Sequence, residues 1–275
     1  MQYTIPQWML LFYVYCFFGW CFESTYVSLK EKRWVNRGFL RAPLLPIYGT
    51  GAICILLVCL PVRSHLFAVF LLGILVPTAL EYVTGWAMEQ LFKMRYWDYT
   101  GKLGNINGYI CLESSLAWGV LSLLLVRVIQ PPIGRWVERL PRPVLLTAVS
   151  MLSAVFVVDF IVSFRAAFRL RRVLEEMERV RTQLEEARVQ LELARAEMRD
   201  RVEELGQDIR ADNRRRQREL EQRTELLRAK LSRRLAHDRA RYFNRALLRA
   251  HPSASSRRFA QSLHELRESM ESRHR

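Results

Sequence analysis

Apolar residues come in long blocks over the first 164 positions and then give way to a seven-residue rhythm. A helix needs about 20 mostly apolar residues to cross a hydrocarbon core. Five blocks reach or approach that length: about 6–28, 44–62, 68–92, 109–129 and 143–164. The second has the weakest start, because Pro43, Pro46, Gly49 and Gly51 crowd it. Backbone groups freed in lipid need partners inside the protein, so that start is expected to pack against other helices or to line a cavity. Beyond the blocks, Leu170, Met177, Leu184, Leu191, Met198 and Leu205 recur every seven residues, with Val173, Val180, Ala187 and Ala194 between them. This pattern predicts a coiled-coil seam over five heptads, a rod of roughly 60 Å at about 1.5 Å per residue. Gly206 and the polar run 207–217 interrupt it, and Leu220, Leu227, Leu231 and Leu235 resume a helical pattern without a clean register. From 251 to 275, Pro, Ser and scattered charges predict a frayed or disordered end. The expected fold is all-α: a polytopic membrane bundle of five spans over 1–164, a coiled-coil tail over 165–250, and the end at 251–275.

Two stretches inside the apolar part match each other. Gly19-Trp20-Cys21-Phe22-Glu23 and Gly85-Trp86-Ala87-Met88-Glu89 both read G-W-x-x-E at the end of an apolar run. Each is followed by a basic loop with a Trp (Trp34, Trp97) and an Asn shortly before a Gly (Asn36, Asn107). The match continues through Gly38-Phe39 and Gly108-Tyr109 to Tyr48-Gly49 and Trp118-Gly119, eleven residues after Gly38 and Gly108. Unequal loops with matched flanks are what a duplicated helix–loop–helix unit leaves, and repeats are sought first because they set the whole fold.

Charge orients the blocks. Residues 1–164 hold 13 Lys/Arg against 8 Asp/Glu, and the remainder holds 29 against 19. The 30–42 loop, the 93–108 loop and the start of the tail are basic, and all three fall on one side of a five-span topology. By the positive-inside rule the N-terminus lies outside and the tail in the cytoplasm, as in a bacterial inner membrane. The 130–142 loop dissents, with Arg135, Arg139 and Arg142, and Gly134–Pro141 is expected to form a short interfacial helix. In this topology the two copies run parallel, related by an axis along the membrane normal. Arg165, Arg169, Arg171 and Arg172 stand at the membrane exit, where lipid headgroups are their expected contact. The later runs Arg214-Arg215-Arg216 and Arg233-Arg234 read as a solvated helix face, since acids are interspersed and no nucleic-acid module accompanies them. Cys16, Cys21, Cys54, Cys59 and Cys111 all sit in or beside apolar runs without a C-x-x-C pair or nearby His, which predicts small packing side chains rather than a metal or redox site. No cofactor is expected. The N-terminal apolar run lacks a basic lead-in and is long enough to span, so it is read as a span rather than a cleaved signal.

Ionisable residues inside spans are costly and mark candidate sites: here Glu23, Glu81, Glu89, Glu113 and Asp159. Glu81 lies mid-span on a four-step stripe with Gly73, Pro77, Gly85 and Glu89. Small residues on such a stripe admit a neighbouring helix, and Pro77 frees a backbone carbonyl. A carboxylate there serves either as a cation or proton site or as a protonated group bonded across a helix contact. Glu23 and Glu89, equivalent in the two copies, face Arg33, Arg37, Arg41 and Arg95 as salt-bridge partners. Alternatively, they line a vestibule for a cationic or amphiphilic ligand beside the tryptophans. Glu113 sits at a helix start, where the dipole favours it, and Asp159 is expected to pair with Arg165 or a loop arginine. A second candidate group lies in the loops: Asn36, Arg37, Arg95, Trp97, Asp98 and Asn107. No G-x-S-x-G, H-E-x-x-H or P-loop occurs, and no acid/base pair can be assigned, so an enzyme is not expected.

Several ordered motifs resemble the bacterial ABC-transporter type IV family, whose members are labelled permeases. They are Phe18-Gly19-Trp20…Glu23, Asn36-Arg37-Gly38-Phe39-Leu40, Pro46-Ile47-Tyr48-Gly49, Leu80-Glu81-Tyr82, Gly85-Trp86, Trp97-Asp98-Tyr99, Asn107-Gly108 and Ile110-Cys111-Leu112. The resemblance covers residues 1 to about 165 and leaves the tail out. It implies a membrane subunit of a transport system that relies on a separate ATPase subunit docked at the cytoplasmic loops. The other expectation is a membrane-anchored scaffold whose coiled coil recruits a partner or forms a homodimer. Fold-level analogy does not identify a substrate.

Overall fold

The computed structural model describes residues 3–201, 207–240 and 247–271. Among these the chain is helical: α1 (Ile5–Glu31), α2 (Pro46–Cys59), α3 (Leu66–Phe92), α4 (Leu112–Leu124), α5 (Gln130–Arg139), α6 (Arg142–Arg201), α7 (Gln207–Ala240) and α8 (Ala260–Glu271). A π-helical turn, Leu125–Ile129, joins α4 to α5 without a break. Four stretches are long and apolar enough to cross a membrane: Ile5–Glu31, Leu66–Phe92, Leu112–Arg139 and Arg142–Glu197; Pro46–Cys59 is apolar but shorter. The 130–142 segment is thus mostly a continuation of the fourth apolar helix, the π-helical turn standing immediately before Pro131 and Pro132, which lack an N–H to donate.

The chain divides into two compact units, Met1–Phe168 with Ala246–Ser256, and Arg169–Arg245 with Arg257–Arg275. The division falls at Phe168 in place of the expected 164, and the first unit also takes in a stretch from near the C-terminus.

In the first unit, α1 and α3 end alike. Lys32 and Lys93 adopt left-handed conformations and cap them, turning the chain sharply into the two basic loops. Glycines set the helix crossings. A Cβ on Gly49 would collide with Cys16 and with the Phe12 carbonyl on α1. One on Gly119 would meet Phe70 and Ile74 on α3. So α2 lies against α1, and α4 against α3, at backbone-to-side-chain distance. Leu10, Leu11, Tyr15, Ala52, Ile55, Leu56, Val69, Leu125, Val126 and Val137 close the core between them. The outer faces carry exposed apolar residues such as Phe18, Phe22, Leu75, Val83, Val120 and Val158, the surface expected of a protein whose solvent is lipid.

In the second unit the predicted seam has a partner in the same chain. Val180, Leu184 and Ala187 of α6 pack with Leu227 and Leu231 of α7, and Arg195 pairs with Glu221 at 3.0 Å. Higher numbers on α6 meet lower numbers on α7, so the two run antiparallel. Their pairing consumes the apolar stripe that a free rod would present. Residues 202–206, where the sequence places Leu205 and the Gly206 break, lie outside the described residues.

The expectation of a frayed end from 251 onwards is corrected for the described part of it. Residues 251–256 lie against the loops of the first unit. Ala260–Glu271 is a helix in which Leu263 and Leu266, with the preceding Phe259, are buried. The Phe259, Leu263, Leu266 spacing is one apolar helix face, which the surrounding charges mask in composition. Ser262 Oγ donates to Glu178 at 2.7 Å and Arg181 pairs with Glu265 at 3.5 Å, fixing α8 beside α6.

Candidate functional site

Of the five candidate carboxylates, the fold brings two to one cavity. It has a volume of about 320 Å³, and its walls include Glu23, Arg37, Tyr48, Glu81, Tyr96, Trp97, Tyr99, Trp118 and His251. Glu81 is 6 % exposed. Tyr99 Oη donates to one of its carboxylate oxygens at 3.1 Å, and Trp118 Nε1 donates to the other at 3.1 Å. Ser114 is a further side-chain partner, so groups from the loop after α3 and from α4 hold this mid-helix carboxyl, as a buried polar group requires. Glu23, near the end of α1, accepts from Tyr48 Oη at 2.9 Å and faces Arg37 Nε at 3.6 Å. Tyr48 and Trp118 are the aromatic residues of the two [YW]-G motifs. The glycine after each lets α2 and α4 approach closely enough for its aromatic neighbour to reach a carboxylate.

The other three carboxylates have structural work. Glu89 accepts from Arg95 Nε at 2.7 Å and from Tyr109 Oη at 2.6 Å. Glu113 is an exposed partner of Lys102 at 2.8 Å in the first turn of α4. Asp159 Oδ2 accepts the backbone N–H groups of Arg41 and Ala42 at 2.9 and 2.7 Å, so its partner is loop backbone in place of the arginine side chain expected. The anionic oxygen satisfies two donors of a loop that has no regular structure of its own.

The loop candidates divide similarly. Arg37 and Trp97 line the cavity. Asn36 accepts from Trp20 Nε1 and donates to the Arg41 carbonyl at 3.3 Å. Asn107, at φ 54°, donates to Tyr82 Oη at 2.9 Å. Arg95 is buried, with its ion pair to Glu89, a 3.4 Å contact to Asp98 and its guanidinium 4.9 Å from the centre of the Tyr109 ring. Burial acts against its charge, but the Glu89 bond outweighs it and holds the pKa above the ordinary arginine value. Burial pushes Asp98 upward too, yet hydrogen bonds from Thr100 and Ser255 and the Arg95 charge bring its carboxyl below the usual range. Arg165, Arg169 and Arg172 are exposed, while Arg171 bonds Glu175 at 2.9 Å.

One contributor carries no signal in the sequence: a strap, residues 250–256. Arg95 and Ser255 exchange two backbone hydrogen bonds, at 2.8 and 2.9 Å. Ser255 Oγ donates to Asp98 at 2.7 Å and Ser256 Oγ to the Lys93 carbonyl at 2.7 Å. Arg37 Nη1 donates to the Ala250 carbonyl at 3.0 Å and to His251 Nδ1 at 2.8 Å. A guanidinium cannot accept, so His251 Nδ1 is the acceptor and the ring proton sits on Nε2. The His251 ring packs edge-on to Tyr96, 4.7 Å between centres. The strap thus touches both basic loops and contributes one wall of the cavity.

Residues 10–164 match the family described as Putative ABC-transporter type IV. No curated protein and no solved structure matches the chain.

Proposed function

From the premise that this chain belongs to the ABC-transporter type IV family, we propose that it is the membrane subunit of a transport system, energised by a separate ATPase subunit and not itself an enzyme. The observation carrying this reading is the cavity between the two halves, into which a buried carboxylate projects. Polar groups at membrane depth mark substrate or ion paths, whereas an anchor has no need of one. The strap supports a five-crossing topology with parallel copies. Its few residues reach Arg37 and Arg95, in the loops that follow α1 and α3, so those loops share one side. A return through α2 is then required, although α2 has only 14 residues and needs the flanking 44–45 and 60–62 segments to complete a crossing. The matched crossings at Gly49 and Gly119 favour duplication. With the basic loops inside, the tail is cytoplasmic in a bacterial inner membrane.

The second reading, a membrane-anchored scaffold working through the tail as a homodimer or with another protein, draws on two exposed apolar residues of α6 beside the seam, Val189 and Leu193. Against it, residues 180–187 are already covered in cis.

The test is a mild-detergent pull-down of the full-length protein from native membranes, with partners identified by mass spectrometry. A co-purifying ATPase bearing a P-loop is the expected outcome. If no ATPase appears, and the partners found are lost with residues 169–245, the scaffold reading replaces the transport one.

A further inference from the structure

We infer that the cavity binds a protonated amine carried on an apolar body. This deepens the transport reading, since it rests on the cavity being the substrate site. Three observations lead to that chemistry. The first is charge: among the described residues the walls hold Glu23, Glu81 and Arg37 and no other acidic or basic side chain but His251, whose Nδ1 accepts from Arg37. Two carboxyl groups against one guanidinium leave one carboxyl group in the cavity without a cationic partner. A bound cation supplies that partner, whereas an anion is repelled by it.

The second observation is the wall itself. Tyr48, Tyr96, Trp97, Tyr99 and Trp118 surround the carboxylates, and aromatic faces attract a partly desolvated cation while accepting apolar surface. Phe39, Phe160 and Phe164 extend the apolar part. The volume of about 320 Å³ lies at the lower end of small-molecule pockets, which suits a ring or short branched chain with one ammonium group and excludes a lipid with two long acyl chains.

The third observation distinguishes an N–H cation from a quaternary one. Tyr96 is 2 % exposed, lines the cavity, and its hydroxyl has no hydrogen-bond partner among the described residues. A buried hydroxyl left unpaired is costly. Tyr99, Trp118 and Ser114 take three of the roughly four acceptor positions of the Glu81 carboxylate, so acceptor capacity remains there as well. An ammonium with its own N–H groups offers donors to Glu81 and to the Tyr96 oxygen, whereas a quaternary ammonium offers none.

The experiment is isothermal titration calorimetry on the full-length protein purified in detergent at pH 7. Three probes of nearly equal size are compared: 2-phenylethylammonium, neutral 2-phenylethanol and anionic 3-phenylpropionate. The ammonium is expected to bind at least tenfold more tightly than either of the others. Glu81→Gln is expected to weaken it at least tenfold. Should that variant fail to elute as a single species, Glu23→Gln removes the same net charge at the other carboxylate and carries the same expectation. Glu113→Gln, outside the cavity, leaves binding unchanged. Absence of ammonium binding, equal or tighter binding of the alcohol or the carboxylate, or full binding by the charge-removed variant overturns the inference. The outcome is separable from the transport reading: an ATPase that co-purifies with a protein blind to the ammonium sinks the ligand class and leaves the membrane-subunit assignment standing.

Discussion

At the scale of single residues, the loop after α3 is decided by Gly108 and Arg95. Gly108 has φ +76°, and a Cβ there would stand 2.5 Å from Arg95 Nη1, 2.7 Å from Thr100 Oγ1 and 2.8 Å from Asp98 Oδ1. Gly108→Ala is therefore expected to lower stability by at least about 1–2 kcal/mol for the left-handed backbone alone. Gly101→Ala, with nothing within 4 Å of the new Cβ, is expected to leave the melting temperature unchanged. A thermal-shift comparison of the two variants checks this; equal melting temperatures would contradict the loop geometry. Arg95→Met leaves Glu89 and Asp98 without their cation and is expected to cost about 3–5 kcal/mol, as for other buried pairs broken on one side. At this scale the sequence was partly legible. The short spacings gave Glu23 with Arg33, Arg37 or Arg41, of which Arg37 is the one it faces, and Glu89 with Arg95, because residues flanking one tight helix end must meet. It did not give Tyr99 and Trp118 as the partners of Glu81, since that meeting depends on how a loop and a third helix fold over α3.

At the scale of elements, the apolar blocks located α1, α3, α4 and the start of α6, because length and hydropathy alone select a lipid-spanning helix. The shortening of α2 and the continuation of α4 into α5 were less visible, since proline is read as a break yet stands here in the first turn of α2 and just after a π-helical turn. The strap was invisible: its hold on the loops comes from backbone groups and two serines, neither of which has a periodic signature. Its attachment makes a pH prediction. Asp98, the acceptor for Ser255, has its carboxyl pKa lowered in the folded protein. A lowered folded value stabilises fully above the unfolded value, about 3.9, and the contribution is lost as pH falls through the folded value. The strap is thus expected to stay closed from pH 7 to about 4 and to loosen below. Hydrogen exchange of the Ser255 amide, corrected for intrinsic rate, reads this out. Asp98→Asn is expected to raise that exchange already at pH 7; unchanged protection in this variant would show that the carboxylate does not hold the strap.

At the scale of the whole molecule, the heptads predicted a seam on α6 but left its partner open, because an a/d stripe states only that something apolar covers it. Here α7 covers part of it. Cysteines introduced at Arg195 and Glu221, in a background with the five native cysteines replaced, are expected to be joined by a short bismaleimide within one chain. The product then runs as a compact monomer on a denaturing gel; a dimer band would place the seam between two chains.

The strap also gives the protein a history. Ribosomes add roughly 5–20 residues per second, and about 80 residues separate Phe168 from Ala250. The apolar helices are synthesised some 4–16 s before the strap at those rates. During that interval the Arg95 backbone and the Asp98 carboxylate lie open to water, and Arg37 has not met Ala250. Closure of the two loops thus records that the polypeptide has been made as far as Ser256.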